Sequence, residues 1–114
     1  MKKVTFLLCM VLFSFAVDAA NVDTVVIFSN GMHRPIKAVV ITPGGYNNIA
    51  ERTKSFPVVY LLHGYSGNFS NWIMKVPGLK ELADVNNIII VCPDGGYSSW
   101  YFDSPIDTTS KYES

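Results

Sequence analysis

The residues best suited to chemistry are Phe56-Pro57-Val58-Val59-Tyr60-Leu61-Leu62-His63-Gly64-Tyr65-Ser66-Gly67. A β-rich apolar run, of the kind that forms a buried strand, leads straight into a glycine-rich loop headed by His-Gly. Backbone N–H groups held in such a loop can stabilise negative charge that develops on a carbonyl oxygen during acyl transfer, because preorganised donors need no reorientation in the transition state. The partner pattern is missing. No Gly-x-Ser-x-Gly, the sharp strand-to-helix turn that exposes a nucleophilic serine, occurs before Ser114. Gly64-Tyr65-Ser66-Gly67-Asn68 and Gly96-Tyr97-Ser98-Ser99-Trp100 come near it. That turn closes on a small residue, where strand and helix backbones pack tightly. Asn68 and Trp100 are not small, so Ser66 and Ser98 are not read as nucleophiles.

Other side chains carry two readings each. Trp72, Trp100, Tyr101 and Phe102 could form an aromatic platform for a sugar or a phenolic acyl group, or could simply pack a loop against the core. Asp94 and Asp103 could hold a substrate hydroxyl, although such acids more often anchor their own loops through side-chain to backbone bonds. His33, beside an early turn, reads as a surface residue.

The elements that must position these residues follow from pattern. Asp23 to Ser29 and Ile36 to Thr42 are β-rich runs separated by Asn30-Gly31, which predicts an antiparallel pair. Tyr46 to Ser55 is polar and reads as a surface loop. Val58 to Leu62 is apolar on both faces, as in a central parallel strand covered by helices. Asn71 to Met74 could begin a helical turn. Leu79, Leu82, Ala83 and Val85 stand close to helical spacing within Gly78 to Asn86. Ile88 to Cys92 is a second fully apolar strand. An aromatic-rich loop, Pro93 to Pro105, precedes Asp107-Thr108-Thr109-Ser110, which resembles a helix N-terminus. The fold class is therefore α/β, an antiparallel β-pair leading into a parallel sheet. A single crossover helix cannot cover both faces of such a sheet. The expectation is an incomplete core, truncated before the nucleophile.

The N-terminus has the form of a leader. Lys2 and Lys3 precede an apolar run from Val4 to Val17 and a small-residue exit. The run is shorter than the roughly 20 residues needed to cross a bilayer. Val17 and Ala19 favour cleavage after Ala19, which divides the chain into a signal peptide, 1–19, and a domain portion, 20–114. The expected location is periplasmic or secreted, with no stable membrane anchor after cleavage. The chain carries 9 Lys and Arg against 9 Asp and Glu. Removing Lys2 and Lys3 leaves a slight acidic excess, which gives no footprint for nucleic acid. Of 2 cysteines, Cys9 falls in the leader. Cys92 then has no disulfide partner and no metal-site spacing; in an apolar strand its role is packing.

The blocks Val58 to Gly67, Asn71-Trp72, Ile89-Ile90-Val91-Cys92-Pro93-Asp94-Gly95-Gly96 and Ser98-Ser99-Trp100-Tyr101 together resemble the esterase D type of α/β-hydrolase. That group includes S-formylglutathione hydrolases, feruloyl and acetyl-xylan esterases, and secreted mycolyltransferases. The resemblance runs from about Val25 to Ser114. It implies the N-terminal part of an α/β-hydrolase fold, ester cleavage or acyl transfer through a Ser-Asp/Glu-His triad, and no cofactor or metal. It places Tyr65 where a backbone N–H serves as one oxyanion donor, and Gly64 where the chain turns sharply and approaches substrate. Trp100, Tyr101 and Asp103 fall in the loop that lines the substrate pocket. The triad itself has no match in this chain. His63 precedes the positions of serine and acid in the family order, so its expected role is structural. The implied partner is a small-molecule or carbohydrate ester. Two rivals stand beside this reading: a non-catalytic exported module or remnant, and an acyltransferase of the same fold. The sequence leaves the oligomeric state open.

Overall fold

The computed structural model describes residues 19–113. Apart from Ala19, the expected signal peptide lies outside the described residues. Strands β1 (Asn21–Ser29) and β2 (Arg34–Thr42) form a hairpin, paired from Asn21 with Thr42 to Ser29 with Arg34. A polar stretch with one short 3-10 turn, Ile49–Glu51, leads to β3 (Val58–Tyr60). Helices α1 (Asn71–Lys75) and α2 (Leu79–Asn86) follow, then β4 (Ile89–Pro93). The sheet order is β1-β2-β4-β3. β2 pairs antiparallel with β4, and β3 pairs parallel with β4 through Val58–Ile89, Val59–Ile90 and Tyr60–Val91. The antiparallel pair therefore leads into a parallel pair, as the sequence predicts. Parallel neighbours need a crossover, and α1 and α2 supply it.

Helix α2 turns one stripe toward the sheet. Leu79 and Ala83, four residues apart, are buried with Ala20, Val39, Ile41, Ile90 and Cys92 in one core cluster. Leu82 and Val85, which share the apolar spacing, face outward. The helix stops at Asn87, whose left-handed backbone (φ 52°) lets its N–H bond back to the carbonyls of Ala83 and Asp84. Cys92 is buried as expected, and desolvation pushes its thiol pKa up.

One expectation fails among the described residues. There Val58 to Leu62 is not a central, covered strand: regular pairing spans only Val58–Tyr60, β3 is the sheet edge, and all three of its residues are exposed. Its apolar composition is that of an interior strand, but among the described residues it has one strand neighbour. Asp107 to Ser110, which resembles a helix N-terminus, closes a turn near the end of the described residues. The Asp107 carboxylate accepts from the Thr109 N–H at 2.9 Å and the Thr109 hydroxyl at 2.6 Å, and Ser110 N–H returns to the Asp107 carbonyl. The side chain thus closes a local turn in competition with helical pairing.

Ile41 has 0% exposure at the centre of the cluster. Replacing it with alanine is expected to destabilise the protein by about 2–5 kcal/mol. Denaturant unfolding would measure this, and a loss below 1 kcal/mol would show that the core lies elsewhere.

Candidate active site

Strands β3 and β4 end side by side, and the loops that leave them, His63–Gly67 and Asp94–Tyr101, are joined by three hydrogen bonds, with a fourth from Tyr101 back to the end of β4. The Gly95 N–H donates to His63 Nε2 at 2.9 Å. The His63 N–H donates to the Tyr101 hydroxyl at 3.1 Å, and that hydroxyl donates to the Pro93 carbonyl at 3.3 Å. The Ser66 N–H donates to the Tyr97 carbonyl at 2.9 Å.

His63 is 8% exposed and is committed through both ring nitrogens. Nε2 accepts from Gly95, so the ring proton sits on Nδ1, which donates to the Gly64 carbonyl at 2.9 Å. Asp94 Oδ1 lies 3.5 Å from the same Nε2. This contact is not an ion pair, because the Nε2 lone pair is already used. Asp94 instead accepts from the Gly96 N–H at 2.8 Å and so anchors its own loop. The structural role expected of His63 is what the geometry shows, and its reach extends beyond its own loop.

Tyr101 is the second fastener. Its ring meets His63 edge-on, with centroids 5.4 Å apart, and fills the space over Gly95. Its backbone, like that of Trp100, is left-handed (φ 58° and 59°), a strained state for an aromatic residue. Ser99 ties that bend down, donating its hydroxyl to the Gly95 carbonyl and accepting from the Tyr101 N–H. Burial pushes the Tyr101 phenol pKa up against the two backbone bonds that lower it, so the hydroxyl keeps its proton through mildly alkaline pH.

These bonds account for three of the five amides from His63 to Gly67. His63 and Ser66 donate as described, and Gly67 N–H closes a turn onto the Gly64 carbonyl at 3.0 Å. Among the described residues, the N–H groups of Gly64 and Tyr65 have no acceptor. They are adjacent and lie on a cavity of about 140 Å³ lined also by His63, Tyr97, Trp100 and Tyr101. A Cβ at Gly64 would meet nothing within 4 Å, so a bound group can approach its backbone. The turn begins at Gly64 and takes its left-handed residue at Ser66, whose φ is 59°. The glycine that the loop requires is Gly67, where a Cβ would lie 2.5 Å from Asn71 Nδ2 and 2.9 Å from His63 Nδ1.

The remaining site residues divide. Trp100 is 76% exposed at the cavity rim, and Tyr65, 67% exposed, packs edge-on against Tyr97 with centroids 4.9 Å apart. Asp103 is not among the cavity's lining residues. It accepts from the Glu113 N–H at 2.9 Å and holds its own loop. Trp72 packs beside the core. His33 is exposed, as expected. Tyr97 escaped the sequence reading, since one tyrosine in an irregular loop carries no periodic signal. No metal-binding cluster of His, Cys, Asp or Glu occurs among the described residues.

A strand-end loop with two unused amides over an open cavity, on a mixed sheet entered by an antiparallel hairpin, defines the α/β-hydrolase class. The chain belongs to the esterase family, whose description is "Putative esterase" and whose match spans residues 29–114. It is 34% identical over 62 residues to Esterase Rv1288 of Mycobacterium tuberculosis, covering 54% of this chain and 13% of that protein. A ferulic acid esterase structure superposes with a TM-score of 0.69 at 27% identity, covering 86% of this chain and 39% of that one. An S-formylglutathione hydrolase from Staphylococcus aureus shares the fold, with a TM-score of 0.63 at 17% identity, over 82% of this chain and 36% of that one. The chain thus spans well under half the length of each of these proteins.

Tyr101→Phe is expected to cost about 1–3 kcal/mol, because it orphans the His63 N–H and the Pro93 carbonyl while keeping the ring. Gly95→Ala drives a methyl into that ring and should lower the melting temperature more than Tyr101→Phe does. The reverse order in thermal melts would show that the ring does not fasten the loops.

Proposed function

We propose that this chain supplies the oxyanion half of an exported carboxylic-ester hydrolase. The observation that carries the reading is the amide count: of five successive N–H groups, the two with no acceptor among the described residues belong to Gly64 and Tyr65, which both line the cavity. In the proposed reaction a serine oxygen attacks the ester carbonyl carbon, and the carbonyl electron pair moves onto its oxygen. The Tyr65 N–H donates to that oxyanion. Collapse of the intermediate expels the alcohol, and water then releases the acid from the acyl-enzyme. Nucleophile, triad acid and triad base are assigned to no residue of this chain, and no residue here is asked to hold a metal or cofactor.

The rim suits an acyl or alcohol group with a flat face. Tyr65, Tyr97 and Trp100 offer exposed aromatic surface around the cavity. This supports a phenolic or carbohydrate-linked ester, and the likeness to a ferulic acid esterase points the same way. An acyltransferase would use the same acyl-enzyme with an alcohol in place of water. A non-catalytic module has one observation in its favour: His63, the only buried histidine among the described residues, has no nitrogen left for proton transfer.

Tyr65→Pro removes the donor, whereas Tyr65→Ala keeps it. In the full-length protein, Tyr65→Pro is expected to lower kcat on a p-nitrophenyl ester by about 10²–10³. Tyr65→Ala should act mainly on KM. Circular dichroism must show that the proline variant remains folded; replacing the preceding amide with an ester by semisynthesis removes the N–H with less distortion. An unchanged kcat without the donor would refute the oxyanion role.

The 114-residue chain alone is expected to give no turnover. Turnover abolished by Ser66→Ala or Ser98→Ala would place the nucleophile here and overturn the assignment.

A further inference from the structure

The Asp84 carboxylate on α2 receives two backbone donors from distant parts of the chain. The Gly44 N–H reaches Oδ1 at 2.6 Å, and the Ala20 N–H reaches Oδ2 at 2.9 Å. Ala20 is 4% exposed and belongs to the core cluster with Ile41, Leu79 and Ala83. Ala19, one residue earlier, is exposed. Ala20 is therefore the first buried residue among those described, and it directly follows the bond that Val17-Asp18-Ala19 marks for cleavage.

We propose that Asp84 is a binding site for a free α-amino group at Ala20, formed when the leader is removed. This rests on the export reading above. Water cleaves the Ala19–Ala20 amide: Ala19 leaves with the leader as a carboxylate, and Ala20 keeps its nitrogen and takes up protons to become an ammonium. The neutral N–H that now meets Asp84 is replaced by a positive donor in the same place. A charge-assisted bond of this kind is roughly twice as strong as a neutral one. The carboxylate is suited to the task. The Gly44 and Ala20 backbone donors hold its pKa below the usual carboxylate range, burial opposes them, and the charge of Lys80 on the same helix assists. A leader still attached would leave the bond neutral, so processing itself would fasten the start of β1 to α2.

The test uses the full-length secreted protein. Mass spectrometry of the intact product reads its first residue, and Ala20 is expected. Thermal melting then compares that form with one carrying a single glycine before Ala20, released by a site-specific protease. The Ala20 form should melt several degrees higher. The same pair made with Asp84→Asn should melt together, because the coupling needs the carboxylate. A product that begins elsewhere overturns the export boundary and this proposal with it. A product that begins at Ala20 but melts like its extended form overturns the Asp84 site alone. Ester hydrolysis, measured in parallel, reports on the catalytic reading and on neither of these outcomes.

Discussion

The hydrogen bond from the Gly95 N–H to His63 Nε2 fixes most of what the site can do. It joins the ends of two strands at a buried point, 2.9 Å between the atoms. Because it takes the Nε2 lone pair, it places the ring proton on Nδ1, where it meets the Gly64 carbonyl. Both ring nitrogens are thus engaged, and the His-Gly that first attracts attention acts by shaping backbone. The Ser66 and Gly67 amides are spent on other carbonyls, and those of Gly64 and Tyr65, two residues that line the cavity, are not.

Much of the fold could be read from the chain because its signals are local and repeated. The β1–β2 hairpin follows from two β-rich runs around Asn30-Gly31. Helix α2 follows from Leu79 and Ala83, and β4 from an unbroken apolar run. The rest depended on neighbours. The residues of β3 have interior composition, but the order β1-β2-β4-β3 puts them at an edge among the described residues; composition records a face to be covered, not what covers it. Asp107-Thr108-Thr109-Ser110 has the residue types of a helix start, yet the same types close an Asx turn. The chemistry shows the same division. The loop itself is legible in its His-Gly motif. The left-handed backbone of Ser66, the crowding of Gly67 by Asn71 and His63, and the reach of His63 to Gly95 across 32 positions in sequence are three-dimensional facts that a one-dimensional pattern does not encode.

The sheet has its own asymmetry. Ile41, Ala83 and Cys92 are almost fully enclosed on the side that α2 covers. β3 is bare, and the indole Nε1 of Trp72 is buried without a hydrogen-bond partner among the described residues. Parallel strands in folds of this class are covered on both faces, and a buried donor without a partner is costly. Among the described residues, β3 has no such cover and the Trp72 donor no partner.

A site built from backbone donors divides its residues by what they can tolerate. The side chains of Tyr65, Tyr97 and Trp100 project into open space and make no bond that holds the loops. Their size and polarity can change while the backbone amides stay in place. Gly67 and Gly95 have no such freedom. A methyl at either would strike Asn71 and His63, or the ring of Tyr101. Tyr101 belongs with these glycines despite lining the same cavity, because its hydroxyl bridges the His63 N–H and the Pro93 carbonyl. The cavity wall thus has a fixed half, held by hydrogen bonds and tight contacts, and a variable half of exposed rings that the loop geometry does not depend on.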